Sequence, residues 1–168
     1  VGPFRYFRDT KNSFLISCKQ FRTVKKEDEP SRDEDFEYYD LDLHCYAFDE
    51  NDELVSSVSP ATEEIIDVTE DLYHSGADFS GMGGNDDEKI YIETSELSDS
   101  YKNFFIVVTS DCKFNLDQVE NPSIRIADSR TEMEWLKTTI KPEAELNASA
   151  FVFARLYQKD GQWHLQNI

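Results

Sequence analysis

Ala150-Phe151-Val152-Phe153-Ala154-Arg155-Leu156-Tyr157, then Lys159-Asp160-Gly161, then Gln162-Trp163-His164-Leu165, reads as two extended segments around a tight turn. β-Branched and aromatic residues suit the pleated, half-buried surface of a strand. Asp-Gly between two such runs marks a hairpin, because the turn needs positive φ and these residues tolerate it. Upstream, the same grammar recurs. Segment 37–48 alternates with period two, Leu41, Leu43, Cys45 and Ala47 against Asp40, Asp42, His44 and Tyr46, which predicts a strand with one buried face. Asp49-Glu50-Asn51-Asp52 turns it into a partner at 53–58. Further strands are predicted at 13–24, 89–93, 104–109 (apolar and central), 123–126 and 132–140. Segment 25–35 is a charged connection containing Pro30, and 115–119 reads as a single helical turn before Pro122. Segment 62–73 stays open: Ile65-Ile66-Asp67-Val68 leans toward strand, while the flanking glutamates allow a helical turn. Many short strands with turn signals between them and almost no helical periodicity predict an all-β fold, a two-sheet antiparallel β-sandwich with short helical turns.

At 168 residues the chain is expected to form one compact domain. Residues 1–35 would supply an amino-terminal strand and the charged connection, and 36–168 the sandwich proper. Val1 in place of Met suggests a processed chain or part of a longer one. Hydrophobic residues at 39% and aromatics at 13% can build a core and exclude general disorder. A net charge of -18 repels phosphate backbones, so nucleic acid is excluded as a partner. Membrane insertion is excluded too, since no run of apolar residues is long enough to span. Cations and protein partners, including those of a larger assembly, are favoured. Cys18, Cys45 and Cys112 are odd in number and form no C-x-x-C pair. This argues against a zinc site or a disulfide scaffold and fits either a reducing, cytoplasmic setting or simply buried thiols.

The chemistry concentrates in two acidic elements. His74-Ser75-Gly76-Ala77-Asp78-Phe79-Ser80-Gly81-Met82-Gly83-Gly84-Asn85-Asp86-Asp87-Glu88 combines four glycines with an acidic triplet. Such a loop can converge main-chain carbonyls and carboxylates, the hard oxygen donors that Ca²⁺ takes. Asp40-Leu41-Asp42-Leu43 places two carboxylates on one face of an extended segment. Alone, Asp40 and Asp42 fit a solvated strand face as well as a ligand pair, and a charged turn is the commoner fate of an acidic triplet; together the two elements favour a cation. An EF-hand is excluded, because a loop starting at Asp78 puts Lys89 where the bidentate Glu belongs. His44, His74 and His164 stand far apart and read as surface or hydrogen-bonding residues, and Trp135 and the phenylalanines as core. No G-x-S-x-G, H-E-x-x-H or phosphate-loop pattern occurs, and no nucleophile and base can be assigned, so no enzyme is expected.

These blocks together resemble the TerD domain, a calcium-binding β-sandwich of tellurium-resistance and general-stress proteins. The matches are Asp40-Leu41-Asp42-Leu43 with Ala47-Phe48; His74-Ser75-Gly76, Gly81, Gly83 and Asp86-Asp87-Glu88; and Phe105 to Asp111. Then follow Asn115, Gln118-Val119, Asn121 and Ile124-Arg125-Ile126, and finally Val152-Phe153, Leu156-Tyr157, Gly161 and Trp163. They run colinearly from about residue 36 to the end. The resemblance implies a Ca²⁺ site built from Asp40, Asp42, Asp78, Gly81, Gly83, Asp86, Asp87 and Glu88, with Asp111 as a ligating or supporting member. Ala77, Met82 and Gly84-Asn85 depart from the family's acids, so the alternative is a metal-independent interaction module with a degenerate site.

Overall fold

A computed structural model describes residues 5–7, 13–21, 41–61, 63–76, 88–110, 120–139 and 149–168. The described strands are β1 (Arg5–Phe7), β2 (Ser13–Phe21), β3 (Leu41–Phe48), β4 (Leu54–Val58), β5 (Leu72–His74) and β6 (Glu88–Glu93). They continue with β7 (Asn103–Ser110), β8 (Glu120–Asp128), β9 (Glu134–Thr139), β10 (Ala150–Lys159) and β11 (Gln162–Asn167). They form a six-stranded sheet in the order β1-β11-β10-β7-β3-β4 and a five-stranded sheet in the order β5-β6-β2-β8-β9. Every strand pair is antiparallel. The expected sandwich is the fold.

Alternation decides the layering. Leu41, Leu43, Cys45 and Ala47 of β3 are buried, as are Phe104, Ile106 and Val108 of β7 beside it. From the other sheet Phe14, Ile16 and Cys18 of β2, Ile90 and Ile92 of β6, and Ile124 and Ile126 of β8 meet them. Each such side chain contributes about 1.5–3 kcal/mol on leaving water. Truncating a central one, as in Phe104→Ala, would cost about 3–5 kcal/mol. Trp135 closes the core edge-on against Phe14, with ring centroids 5.1 Å apart. The β10–β11 hairpin turns through Asp160 at φ 52° and Gly161 at φ 73°, with Lys159 opposite Gln162. Positive φ at both central residues is the two-residue turn whose twist matches the flanking strands.

β2 falls within the strand expected at 13–24 and lies between β6 and β8 in the five-stranded sheet. One detail settles a segment the sequence left open. Ile65–Val68 is turn and bend with a single bridge, Ile66 to Tyr73, rather than a strand. Asp67 is the reason. Its Oδ1 accepts the Thr69 backbone N–H at 3.0 Å, and a side chain that captures local backbone competes with a strand ladder. The connection at 25–35, the helical turn at 115–119, Asp40 and Cys112 lie outside the described residues. Among the described residues no helix is long and apolar enough to cross a membrane.

Candidate metal centre

β3 and β6 belong to opposite sheets, so a contact between their starts ties the two layers together. In β6 the alternation that buries Ile90 and Ile92 also turns Glu88 inward, and its side chain is fully buried. A buried carboxylate is costly unless it is hydrogen-bonded or paired. Glu88 Oε2 accepts the backbone N–H of Leu43 at 2.7 Å and lies 3.2 Å from His74 Nε2. The Gly76 N–H donates to His74 Nδ1 at 2.9 Å. Nδ1 therefore carries no proton, and Nε2 holds the one donated to Glu88. Gly76 reaches back to the ring by adopting φ 91°, a conformation that needs glycine.

Ser75 completes this neck. Its N–H donates to the Lys89 carbonyl at 2.8 Å, and its Oγ accepts the Lys89 N–H at 2.9 Å. Residues 75–76 and 88–89, which bracket the glycine-rich segment, are thus locked to each other. The second oxygen of the carboxylate is different. Glu88 Oε1 is buried and has no hydrogen-bond partner among the described residues. Burial pushes the Glu88 carboxyl above its ordinary range; the hydrogen bonds from His74 and Leu43 oppose the rise, and the charge of Asp42 adds to it. His44, two residues beyond Asp42, sits 3.0 Å from Thr109 Oγ1. Burial holds its ring below the ordinary value, while Asp42 pulls the other way.

Of the residues expected to bind metal, the structure describes Asp42 and Glu88, and it brings them to one end of the sandwich. Asp42 is half-buried on β3, with its neighbours Leu41 and Leu43 directed into the core, as the alternation predicts. Asp40, Asp78, Gly81, Gly83, Asp86, Asp87 and Asp111 lie outside the described residues. Among the described residues no three His, Cys, Asp or Glu side chains come together as a metal cluster. The donors that are present suit a hard cation rather than a soft one. Glu88 Oε1 and the Asp42 carboxylate are hard oxygen donors, and both nitrogens of His74 are engaged in hydrogen bonds. His74 does hydrogen-bond, as its sequence context allows, but its partner Glu88 was not assigned from sequence. The available signal was the parity of Glu88 with Ile90 and Ile92.

A second buried carboxylate, Asp67, was missed altogether. Besides the Thr69 N–H, Oδ1 accepts the Thr69 hydroxyl at 2.7 Å, and Oδ2 accepts the Tyr101 hydroxyl at 2.5 Å. Burial, with the hydrogen bond and charge of Asp67, pushes the Tyr101 hydroxyl up to about 12. Cys18 and Cys45 are buried, Cys18 Sγ lies 3.9 Å from the Leu41 carbonyl, and burial raises the Cys45 thiol.

The TerD domain family model matches residues 31–168. The protein YceE of Bacillus subtilis (strain 168) is 26% identical over 135 residues, covering 77% of this chain and 70% of its own. The chemical-damaging agent resistance protein B of Clostridium acetobutylicum is 28% identical over 101 residues, covering 58% and 72%. The crystal structure of a homologue of telluride resistance protein (TerD), SCO6318 from Streptomyces coelicolor A3(2), superposes with a TM-score of 0.71. That match spans 93% of this chain and 87% of that one at 18% identity, which supports the fold alone.

Proposed function

The chain belongs to the TerD domain family, and from that premise we propose that it is a non-enzymatic, calcium-binding β-sandwich with a role in stress response. The carrying observation is Glu88, a fully buried carboxylate that uses one oxygen to bridge the sheets and leaves the other unpartnered among the described residues. Glu88 Oε1 and Asp42 would hold the ion from the strands. Asp40, Asp78, Asp86, Asp87 and Asp111 and the carbonyls of Gly81 and Gly83 would supply the remaining donors. When bound, calcium supplies charge neutralisation and a link between segment 77–87 and the sandwich. This chain's own residues do the rest: Leu43 and His74 orient the carboxylate, and Ser75 and Lys89 hold the neck. The stress-response class is supported by the name of the clostridial relative, a chemical-damaging agent resistance protein. The buried thiol of Cys45 fits a reducing compartment.

Binding to the folded state alone would stabilise by RT ln(1 + [Ca²⁺]/Kd). Calorimetric titration after chelation should show saturable calcium binding and a raised melting temperature, with Mg²⁺ much weaker because it resists dehydration and wants a tighter shell. Identical melting curves in calcium and in chelator would sink the proposal. A second reading, a metal-independent interaction module, is favoured by Ala77 and Met82, which stand where the family resemblance expects acids. Ala77→Asp with Met82→Glu separates the two. A weakened calcium site should tighten, since each carboxylate adds charge and a hard oxygen. A module that has lost the site should show no change in affinity.

A further inference from the structure

The acidity of this chain is concentrated in one part of it. Between Asp33 and Glu88 there are 19 acids and no Lys or Arg, so that stretch accounts for the whole charge imbalance. Within it, the segment from β4 to β5 forms one side of the sandwich, since each of these strands is the edge of its sheet. Edge strands are normally blunted by shortness, charge or proline. β1 and β5 span three residues each, and β9 carries Glu134 and Lys137. β4 reads Leu54-Val55-Ser56-Ser57-Val58, with neither charge nor proline.

The same side carries an unusual share of exposed apolar groups. Leu54 (57% exposed), Val55, Ile66, Val68 (96%) and Tyr73 all fall between residues 54 and 73. They are held firmly. Ile66 bridges Tyr73, whose ring stacks on Tyr91 with centroids 4.7 Å apart. Val68 rides on the turn that Asp67 fastens through Thr69 and Tyr101. Tyr101 is itself buried and stacked on Phe104, so this turn is braced against the core. An apolar knob presented on a rigid turn loses little entropy on binding. Exposed apolar groups in such a setting mark a contact surface.

We infer that the β4–β5 side is a docking surface for an extended segment of a partner protein in which Lys or Arg alternates with apolar residues. Charge complementarity selects this occupant. From Asp49 to Tyr73 the chain has nine acids and no base, so a second copy, equally acidic there, would be repelled. The outer edge of β4, unpaired among the described residues, offers backbone groups to an added strand, while Leu54 and Val68 offer apolar contacts and the surrounding acids meet the basic positions. The surface adjoins the Glu88 centre at His74, the last residue of β5, but Leu54, Val55, Ile66 and Val68 take no part in that centre, so docking is expected in chelator as well as in calcium.

The test is a titration of the isotope-labelled 168-residue chain with an octapeptide of alternating lysine and valine, in calcium and again in chelator. Oligolysine and an alternating glutamate–valine peptide serve as controls. Lysine–valine binding in both conditions, weakened by salt and with amide shifts centred on 54–58 and 66–73, is the expected result. Leu54→Ser with Val68→Ser should weaken it about tenfold, the loss of two central apolar contacts. Both side chains are exposed, so the variant should melt with the parent. Equal binding of oligolysine would overturn the inference in favour of simple charge attraction. Binding that the double variant leaves unchanged, shifts elsewhere on the chain, or no binding of the lysine–valine peptide would overturn it as well. Loss of binding in chelator alone would assign the effect to the calcium centre instead.

Discussion

Glu88 and Asp67 are both carboxylates inside an acidic protein, yet they are treated in opposite ways. Asp67 receives donors on both oxygens, from Thr69 and Tyr101, all supplied by the chain. Glu88 receives donors on one oxygen, and the other is buried without a partner among the described residues. A fully satisfied buried carboxylate is a structural brace; a half-satisfied one carries a penalty that a cation can relieve. Satisfaction, more than burial or acidity, separates the two roles.

The largest effect should come from breaking the brace. Asp67→Ala leaves the Tyr101 hydroxyl and the Thr69 donors without their acceptor, a loss of about 3 kcal/mol, since each buried donor left unmade costs about 1–3 kcal/mol. Urea denaturation would read it as a lowered midpoint at unchanged slope. A loss below about 0.5 kcal/mol would mean that water replaces the carboxylate and that Asp67 braces nothing.

Tyr101 gives the same contrast a pH signature. Its folded pKa, about 12, lies above its ordinary 10.0. An acid whose folded pKa is raised contributes stability that is present below the unfolded value and lost as pH rises through the folded one. Tyr101 should therefore cost stability between pH 10.0 and about 12. Asp67→Asn removes the neighbouring charge and should bring the tyrosinate absorbance step down toward the ordinary value. An unmoved step would place the cause in burial alone.

Removing the charge at Glu88 should do the reverse of removing Asp67. Glu88→Gln keeps an acceptor for Leu43 and His74 while deleting a buried charge that lacks a full set of donors. In chelator its melting point should match or exceed that of the parent, by up to about 1 kcal/mol of stability. In calcium the parent should gain and the variant should not. A variant much less stable than the parent in chelator would show that Glu88, like Asp67, is a brace.

These differences explain how much the sequence could tell. The strands were legible because period-two alternation survives in Leu41 to Ala47 and because Phe104 to Val108 is a short apolar run, the pattern of a central strand. The hairpin at Asp160-Gly161 was legible because its turn chemistry is local. Ile65–Val68 misled because three β-branched residues outweighed one aspartate whose side chain binds backbone two residues on. The site was half legible. Asp42 and Glu88 were picked out as acids, but Glu88 was grouped with Asp86 and Asp87 as a run of charge. Its alternation with Ile90 and Ile92, which carries it inside, went unused. Asp67 left no motif, because Tyr101 lies 34 residues away in sequence.

The smallest effects come from the backbone beside each carboxylate. Gly76 at φ 91° serves the Glu88 centre, and Glu70 at φ 62° closes the turn that Asp67 begins. A Cβ at Gly76 would meet nothing within 4 Å among the described residues, so Gly76→Ala chiefly tests conformation. It should cost about 1 kcal/mol, the penalty for an L-residue in this region. It should also weaken the Gly76 bond to His74, lowering calcium affinity in step. Glu70→Gly relieves the same strain but frees the unfolded chain by a comparable amount, so it should change stability by less than about 0.5 kcal/mol. Calcium affinity should not follow it, because Asp67 is satisfied without an ion. If Glu70→Gly moved calcium affinity as far as Gly76→Ala did, the two carboxylates would belong to one coupled site.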